Sequence, residues 1–365
     1  ISIDGTTYAA EGPQSPLAIE VPEFTPWSPD APHLYTAICE CDGHEPVRIR
    51  FGMRECTIKE NRVHFNNKAM TLRGVVLDSL DSVPARELVG KVKSAGFNFL
   101  RVRSTAIPDP FLDAADELGL LVCCELDATG SEAALRERRN HPSVVLWSIG
   151  ESPDIDATLR HVHQIDPGRV VVSSLDTVER AARYMRPYQD DIAVADAIAA
   201  QLPPPCSIRA ERYYENVGET NAPVFFTRFG AQQPAAIRDT ASLDESLTQQ
   251  ELASIFPSAD RLLAAIEAGR AESLRLHVQS ARVNGKLAGY CVDGMPTGDT
   301  TGLARAQSPI TLAIRASRTN LVPREEVPVT VTIVNDERIE PIADLSLQVV
   351  GPTNQVKKKK KRSLK

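Results

Sequence analysis

His141-Pro142-Ser143-Val144-Val145-Leu146-Trp147-Ser148-Ile149-Gly150-Glu151-Ser152 reads as an apolar β-run that ends in small residues and then a carboxylate. Four apolar residues in succession leave no polar face, so this strand is expected to be covered on both sides, as in a parallel sheet flanked by helices. In such a protein the strand's C-terminal end opens into the active-site mouth, and Glu151 then stands where a catalytic acid belongs.

Working outward, short β-branched runs alternate with helix-period segments from about Ala69 onward, the pattern of βα units. Eight strand candidates follow: Met70–Leu77, Phe97–Arg103, Leu120–Leu126, Ser143–Ile149, Arg169–Leu175, Asp191–Asp196, Val224–Phe229 and Leu287–Val292. Amphipathic stretches lie between several of them, at Pro84–Ala95, Pro110–Leu118 and Arg261–Arg282. Gly96 and Gly119 each stand where a helix stops before the next strand. The fold class is therefore α/β, a (β/α)₈ barrel over residues 61–300. A doubly wound sheet competes, but the first strand lacks the Gly-rich turn of its nucleotide-binding versions.

The flanks read differently. Residues 1–60 are β, with Leu34–Ile38 and Val47–Phe51 as strands and prolines 22, 26, 29 and 32 as punctuation. They look like the later part of a β-sandwich. Arg62–Lys68 predicts a hairpin with Asn66-Asn67 at its turn. Residues 308–352 alternate with period two in Ile310–Arg315, Pro328–Val334 and Leu345–Val350, as at the start of a second sandwich. Residues 353–365 carry the basic run Lys357–Arg362, expected as a disordered end, with a nucleic-acid arm as the alternative. Ragged flanks of this kind are expected of a piece of a longer protein.

Charge and composition narrow the function classes. A net charge of −7 argues against nucleic acid as main partner. No run of about 18 apolar residues is present, so no membrane span is expected. No secretion-signal pattern opens the chain at Ile1-Ser2-Ile3-Asp4, and the compartment stays open. Seven cysteines show no zinc-site spacing, so neither metal nor cofactor is expected. Cys123 and Cys124 sit in an apolar run and read as core.

Several motifs together resemble glycoside hydrolase family 2, the β-galactosidases, β-glucuronidases and β-mannosidases. Trp27-Ser28-Pro29 with Pro32-His33-Leu34-Tyr35 is similar to the end of that family's immunoglobulin-like domain, and Phe51-Gly52-Met53-Arg54-Glu55 to its junction with the barrel. Asn66-Asn67-Lys68 and Leu72-Arg73-Gly74-Val75 resemble the approach to the first strand. Gly96-Phe97-Asn98-Phe99-Leu100-Arg101 resembles the second and Asp116–Val122 the approach to the third. Arg139-Asn140-His141-Pro142-Ser143-Val144 with Trp147-Ser148-Ile149-Gly150 resembles the fourth. Pro223–Thr227 with Phe229-Gly230-Ala231 resembles the seventh.

The resemblance implies a TIM barrel flanked by partial immunoglobulin-like β-sandwich segments, a carbohydrate ligand (a β-glycoside or oligosaccharide), and retaining hydrolysis of O-glycosyl bonds. That chemistry needs a carboxylic acid and a nucleophilic carboxylate about 5–5.5 Å apart. Both implied positions depart from the family's pattern. After Gly150 the family's Asn is missing. Aligned from the strand, Ser152 takes the acid's place; aligned from the loop, Glu151 keeps it with one residue deleted. On the seventh strand Arg228 occupies the nucleophile position, and a guanidinium has no electron pair to attack with.

Other polar positions depart from that family's pattern, with Val76, Leu77 and Asp78 after Arg73-Gly74-Val75, Arg103-Ser104 after Arg101 and Cys124-Glu125 on the third strand. Arg101, Glu125, Trp147 and Asp78 are the candidate substrate contacts. Each has a plainer reading: Arg101 with Glu125 as an ion pair at the mouth, Trp147 as core, Glu151 with Arg228 as a salt bridge closing the old site, and His141 as a turn residue. Asp127, Asp176 and Asp293 near strand ends are candidate replacement carboxylates, and Tyr213 and Tyr214 candidate sugar platforms. The expected function is a family 2-like glycosidase with an impaired catalytic pair. The alternative is a non-catalytic carbohydrate-binding or scaffold barrel.

Overall fold

Short apolar strands, each followed by a segment with one apolar face, close here into a ring. A computed structural model of the chain describes residues 2–3, 6–7, 19–40, 43–60, 62–80, 83–127, 130–149, 154–173, 192–194, 224–229, 240–285, 287–296, 300–316, 326–336, 343–350 and 355–364.

Before the barrel, β1 (Ser2–Ile3), β2 (Thr6–Thr7), β3 (Tyr35–Cys39) and β4 (Val47–Phe51) make one sheet in the order β2-β1-β3-β4. A second, antiparallel sheet comprises β5 (Cys56–Lys59), β6 (Arg62–Phe65) and β7 (Lys68–Met70). The expected hairpin joins β6 to β7. Its turn holds Asn66 and Asn67 at φ 48° and 65°, the left-handed pair of a tight hairpin that asparagine tolerates better than most residues.

The barrel strands are β8 (Leu72–Leu77), β9 (Phe99–Val102), β10 (Leu121–Leu126), β11 (Val144–Ile149), β12 (Val170–Ser173), β13 (Ile192–Val194), β14 (Val224–Phe229) and β15 (Leu287–Asp293). All neighbours are parallel, and β15 pairs with β8 to close the ring. All eight expected strands form, with slightly different ends.

The helices alternating with them are α1 (Ala85–Ser94), α2 (Asp109–Leu118), α3 (Glu132–Arg138), α4 (Ile155–Ile165), α5 (Thr240–Gln249), α6 (Ala259–Val283) and α7 (Thr301–Ala306). Their ends follow local chemistry. Asp154 caps α4 by accepting from the Ala157 N–H at 3.0 Å, satisfying one of the orphan donors of the first turn. Gly119 ends α2 at φ 72°. A Cβ there would lie 2.3 Å from the Pro29 carbonyl oxygen, so the residue also admits the upstream chain. Among the described residues no helix is long and apolar enough to cross a membrane.

Strand alternation sorts the core into two layers. Val75, Leu100, Val102, Val122, Cys124, Trp147, Ile149, Val171, Tyr290 and Val292 face the helices. Leu72, Val76, Phe99, Leu121, Cys123, Leu146, Val170, Val172, Phe225 and Cys291 fill the interior. The interior is packed: a Cβ on Gly74 would lie 2.6 Å from the Phe99 ring and 2.7 Å from Cys291 Sγ. Trp27, Cys56, Ile58, Val63 and Phe65 join this inner cluster at the N-terminal strand ends and plug the base. Trp27 is fully buried, edge-on to Phe65, and its Nε1 donates to the Asp116 carbonyl at 2.8 Å.

Beyond the barrel, β16 (Ile310–Ala316) pairs antiparallel with β17 (Val329–Asn335), and β18 (Ala343–Val350) with β19 (Val356–Leu364). The basic run Lys357–Arg362, expected to be a disordered end, lies instead within β19. Its register runs from Ala343 opposite Leu364 to Gln348 opposite Lys359. Ladder hydrogen bonds involve only the backbone, and lysine is tolerated on strands at a sheet edge.

Candidate functional site

The mouth of the barrel is built one alternation step above the apolar interior. On β9 the inward residue after Phe99 is Arg101; on β10 Glu125 follows Cys123; on β11 Ser148 follows Leu146. The strand registers place them together, with Arg101 beside Cys123 and Glu125 beside Ser148. Arg101 Nη2 lies 3.3 Å from Glu125 Oε2 and 3.3 Å from Ser148 Oγ. The Arg101 side chain is 6% exposed and that of Glu125 19%. This is the ion pair that the plainer reading of the sequence expected. Ser148 is fully buried and was not singled out from sequence. The signal for it was its place two residues beyond Leu146 on a strand of period two.

Around this pair the rim is more open. Asp78 Oδ1 meets Arg103 Nη1 at 3.2 Å, with Asp78's side chain 74% exposed. Asp127 is turned into its own loop, accepting from the Ser131 N–H at 3.1 Å. Asp293 ends β15 opposite Val76.

Trp147 is not at the mouth. The alternation that points Leu146 and Ser148 inward sends Trp147 outward, against the helices. It is fully buried, and its Nε1 donates to Asp166 Oδ2 at 2.9 Å. The Arg169 guanidinium stands 5.6 Å from its ring centre while pairing with the same carboxylate at 2.6 Å. Its candidacy as a substrate contact is thereby corrected. His141 also has a defined partner, since its Nδ1 lies 2.6 Å from Asp116 Oδ2. The other Asp116 oxygen accepts from the Ser143 N–H at 3.0 Å.

Of the positions expected from the resemblance to be catalytic, Arg228 is the fifth of the six residues of β14, the seventh barrel strand. Its strand changes register between Phe226, opposite Tyr290, and Phe229, opposite Val292. Glu151, Asp176, Tyr213 and Tyr214 lie outside the described residues.

Among the described residues one group has metal-ligand spacing, away from the mouth. Asp113, Asp116 and His141 bring ligand atoms within 4.8 Å of one another. These groups are already engaged: Asp113 with Arg50, and Asp116 with His141 and the Ser143 N–H. The barrel thiols are not ligands in waiting either. Burial pushes Cys124 up to about 12 and Cys123 well above its ordinary range, so both stay protonated.

Comparison with known proteins agrees with this geometry. The family model "Glycosyl hydrolases family 2, TIM barrel domain" matches residues 127–202. A β-galactosidase of Arthrobacter sp. (strain B7) is 28% identical over 178 residues, 40% of this chain and 17% of that protein. The fold is similar to a family 2 β-galacturonidase from Eisenbergiella tayi bound to galacturonate, with TM-score 0.58 and 17% identity over 80% of this chain and 57% of that one. It is also similar to the exo-β-D-glucosaminidase CsxA, with TM-score 0.65 and 14% identity over 95% of this chain and 51% of that one. The chain thus spans less than two thirds of each of these proteins. Motifs, family match and barrel together support the assignment of this chain to glycoside hydrolase family 2.

Proposed function

We propose that this chain is a family 2-type β-glycosidase barrel that takes carbohydrate at its C-terminal mouth and is impaired in hydrolysing O-glycosyl bonds. The observation carrying this reading is the residue at the nucleophile position, Arg228 on β14. A guanidinium stays protonated at any useful pH and cannot attack an anomeric carbon. It would also bring positive charge towards a developing oxocarbenium ion, the wrong sign for stabilisation. Glu151 is the remaining candidate acid. Serving as base in a rerouted inverting reaction, Glu125 would have to leave Arg101, and inversion needs carboxyl groups about 6.5–9.5 Å apart. Residues 1–60 and 308–352 are read in the same proposal as parts of immunoglobulin-like sandwiches on either side of a barrel over 61–300.

The test is hydrolysis of chromogenic β-galactosides and β-glucuronides by wild type, Glu151→Gln and Arg228→Glu. Wild type is expected at or near background. Any residual turnover should vanish in Glu151→Gln, and Arg228→Glu should gain activity if the rest of the site is intact. Wild-type kcat/KM in the ordinary enzymatic range of about 10⁴–10⁸ M⁻¹s⁻¹ would overturn the reading.

A further inference from the structure

A second polar cavity lies at the opposite end of the barrel from the mouth. It has a volume of about 250 Å³, between the C-terminal end of α6, the start of β8, β6 and the far end of β17. Arg62, Arg282, Thr71, Asn284, Thr332 and Asp336 are among its lining residues. Asp336 is the lining's one carboxylate and is saturated by donors. Its Oδ1 accepts from Thr71 Oγ1 at 3.2 Å, and its Oδ2 from Arg73 Nη1 at 3.1 Å and Arg282 Nη2 at 2.8 Å. Arg62 donates to the Gly285 carbonyl at 3.2 Å and makes no ion pair among the described residues. Arg73 and Arg282 therefore share one carboxylate and Arg62 stands near them, so three guanidinium groups against one carboxylate leave a local charge of +2 beside a cavity with hydroxyl and amide groups on its walls.

We propose that this cavity binds a small multi-oxygen anion of the phosphate or sulfate class. Surplus guanidinium charge beside polar walls suits a small tetrahedral oxyanion. The volume lies at the small end of ligand sites, which fits a compact ion rather than an oligosaccharide. The site draws β17 and the barrel base together, so occupation should stabilise the whole chain by linkage.

The test is thermal unfolding of the full chain in inorganic phosphate against sodium chloride at equal ionic strength and pH, with calorimetric titration of phosphate. Phosphate should raise the Tm saturably. In Arg62→Gln, which removes no ion pair among the described residues, the half-saturating concentration should rise at least about tenfold. Arg103→Gln, at the mouth, should respond as wild type. Equal Tm in the two salts, or an undiminished phosphate response in Arg62→Gln, would overturn the proposal.

Discussion

Arg101 and Glu125 meet on adjacent strands inside the barrel, Nη2 to Oε2 at 3.3 Å, with Ser148 Oγ equally close to the guanidinium. The pair occupies the level at which a ligand would enter, and its charges hold β9 to β10. Removing the carboxylate takes one counter-charge from a nearly buried cation. Glu125→Ala is expected to cost about 3 kcal/mol, the low end for broken buried pairs because Glu125 keeps some contact with solvent. The double variant Arg101→Met, Glu125→Leu should recover most of that loss. Urea unfolding at pH 7 measures both, and a single-variant cost below about 0.5 kcal/mol, the surface-substitution level, would contradict the pairing.

Trp147→Phe removes the Nε1 bond to Asp166 and weakens the contact with Arg169 while leaving the mouth untouched. A loss of about 1–3 kcal/mol is expected, since the Asp166 carboxylate loses one of its buried donors. Affinity for any bound glycoside should not change. Loss of sugar binding at intact stability would return Trp147 to the site.

Gly119→Ala forces an L-residue to φ 72° and sets its Cβ against the Pro29 carbonyl. The left-handed conformation alone costs about 1–2 kcal/mol, and the clash adds to it. Limited proteolysis should therefore cut between residues 19 and 40 faster in this variant than in wild type.

His277, buried on α6, is held below the usual histidine range by desolvation. The unfolded chain therefore binds a proton at a higher pH than the folded one. Stability from this residue is fully present above the unfolded value near 6.5 and falls as pH drops below it. Melting curves of wild type and His277→Gln between pH 8 and 5 should converge on the acid side. A constant offset across that range would show that this titration does not matter.

The barrel was legible because its strands are short apolar runs spaced by amphipathic helices, and the motifs around Gly96–Arg101 and His141–Gly150 fixed their order. The inner and outer faces were less so. Val144–Trp147 is apolar on both faces, so sequence alone could not say that Leu146 points inward and Trp147 outward. Ser148 was hidden for the same reason. The partners Asp336, Arg73 and Arg282 are separated by 263 and 54 positions, and no local pattern announces such a meeting. The strand at Val356–Leu364 was missed because its composition is that of a solvated tail, whereas its pairing is made by the backbone.

Ring closure by β15 against β8 sets an order on synthesis. Leu72 has to wait for Gly289 before its ladder is complete. Until then a nascent chain carries two open sheet edges, on β8 and on the last strand made, each able to recruit a neighbouring chain. A stop anywhere before Leu287 should therefore yield aggregates in place of a smaller soluble barrel.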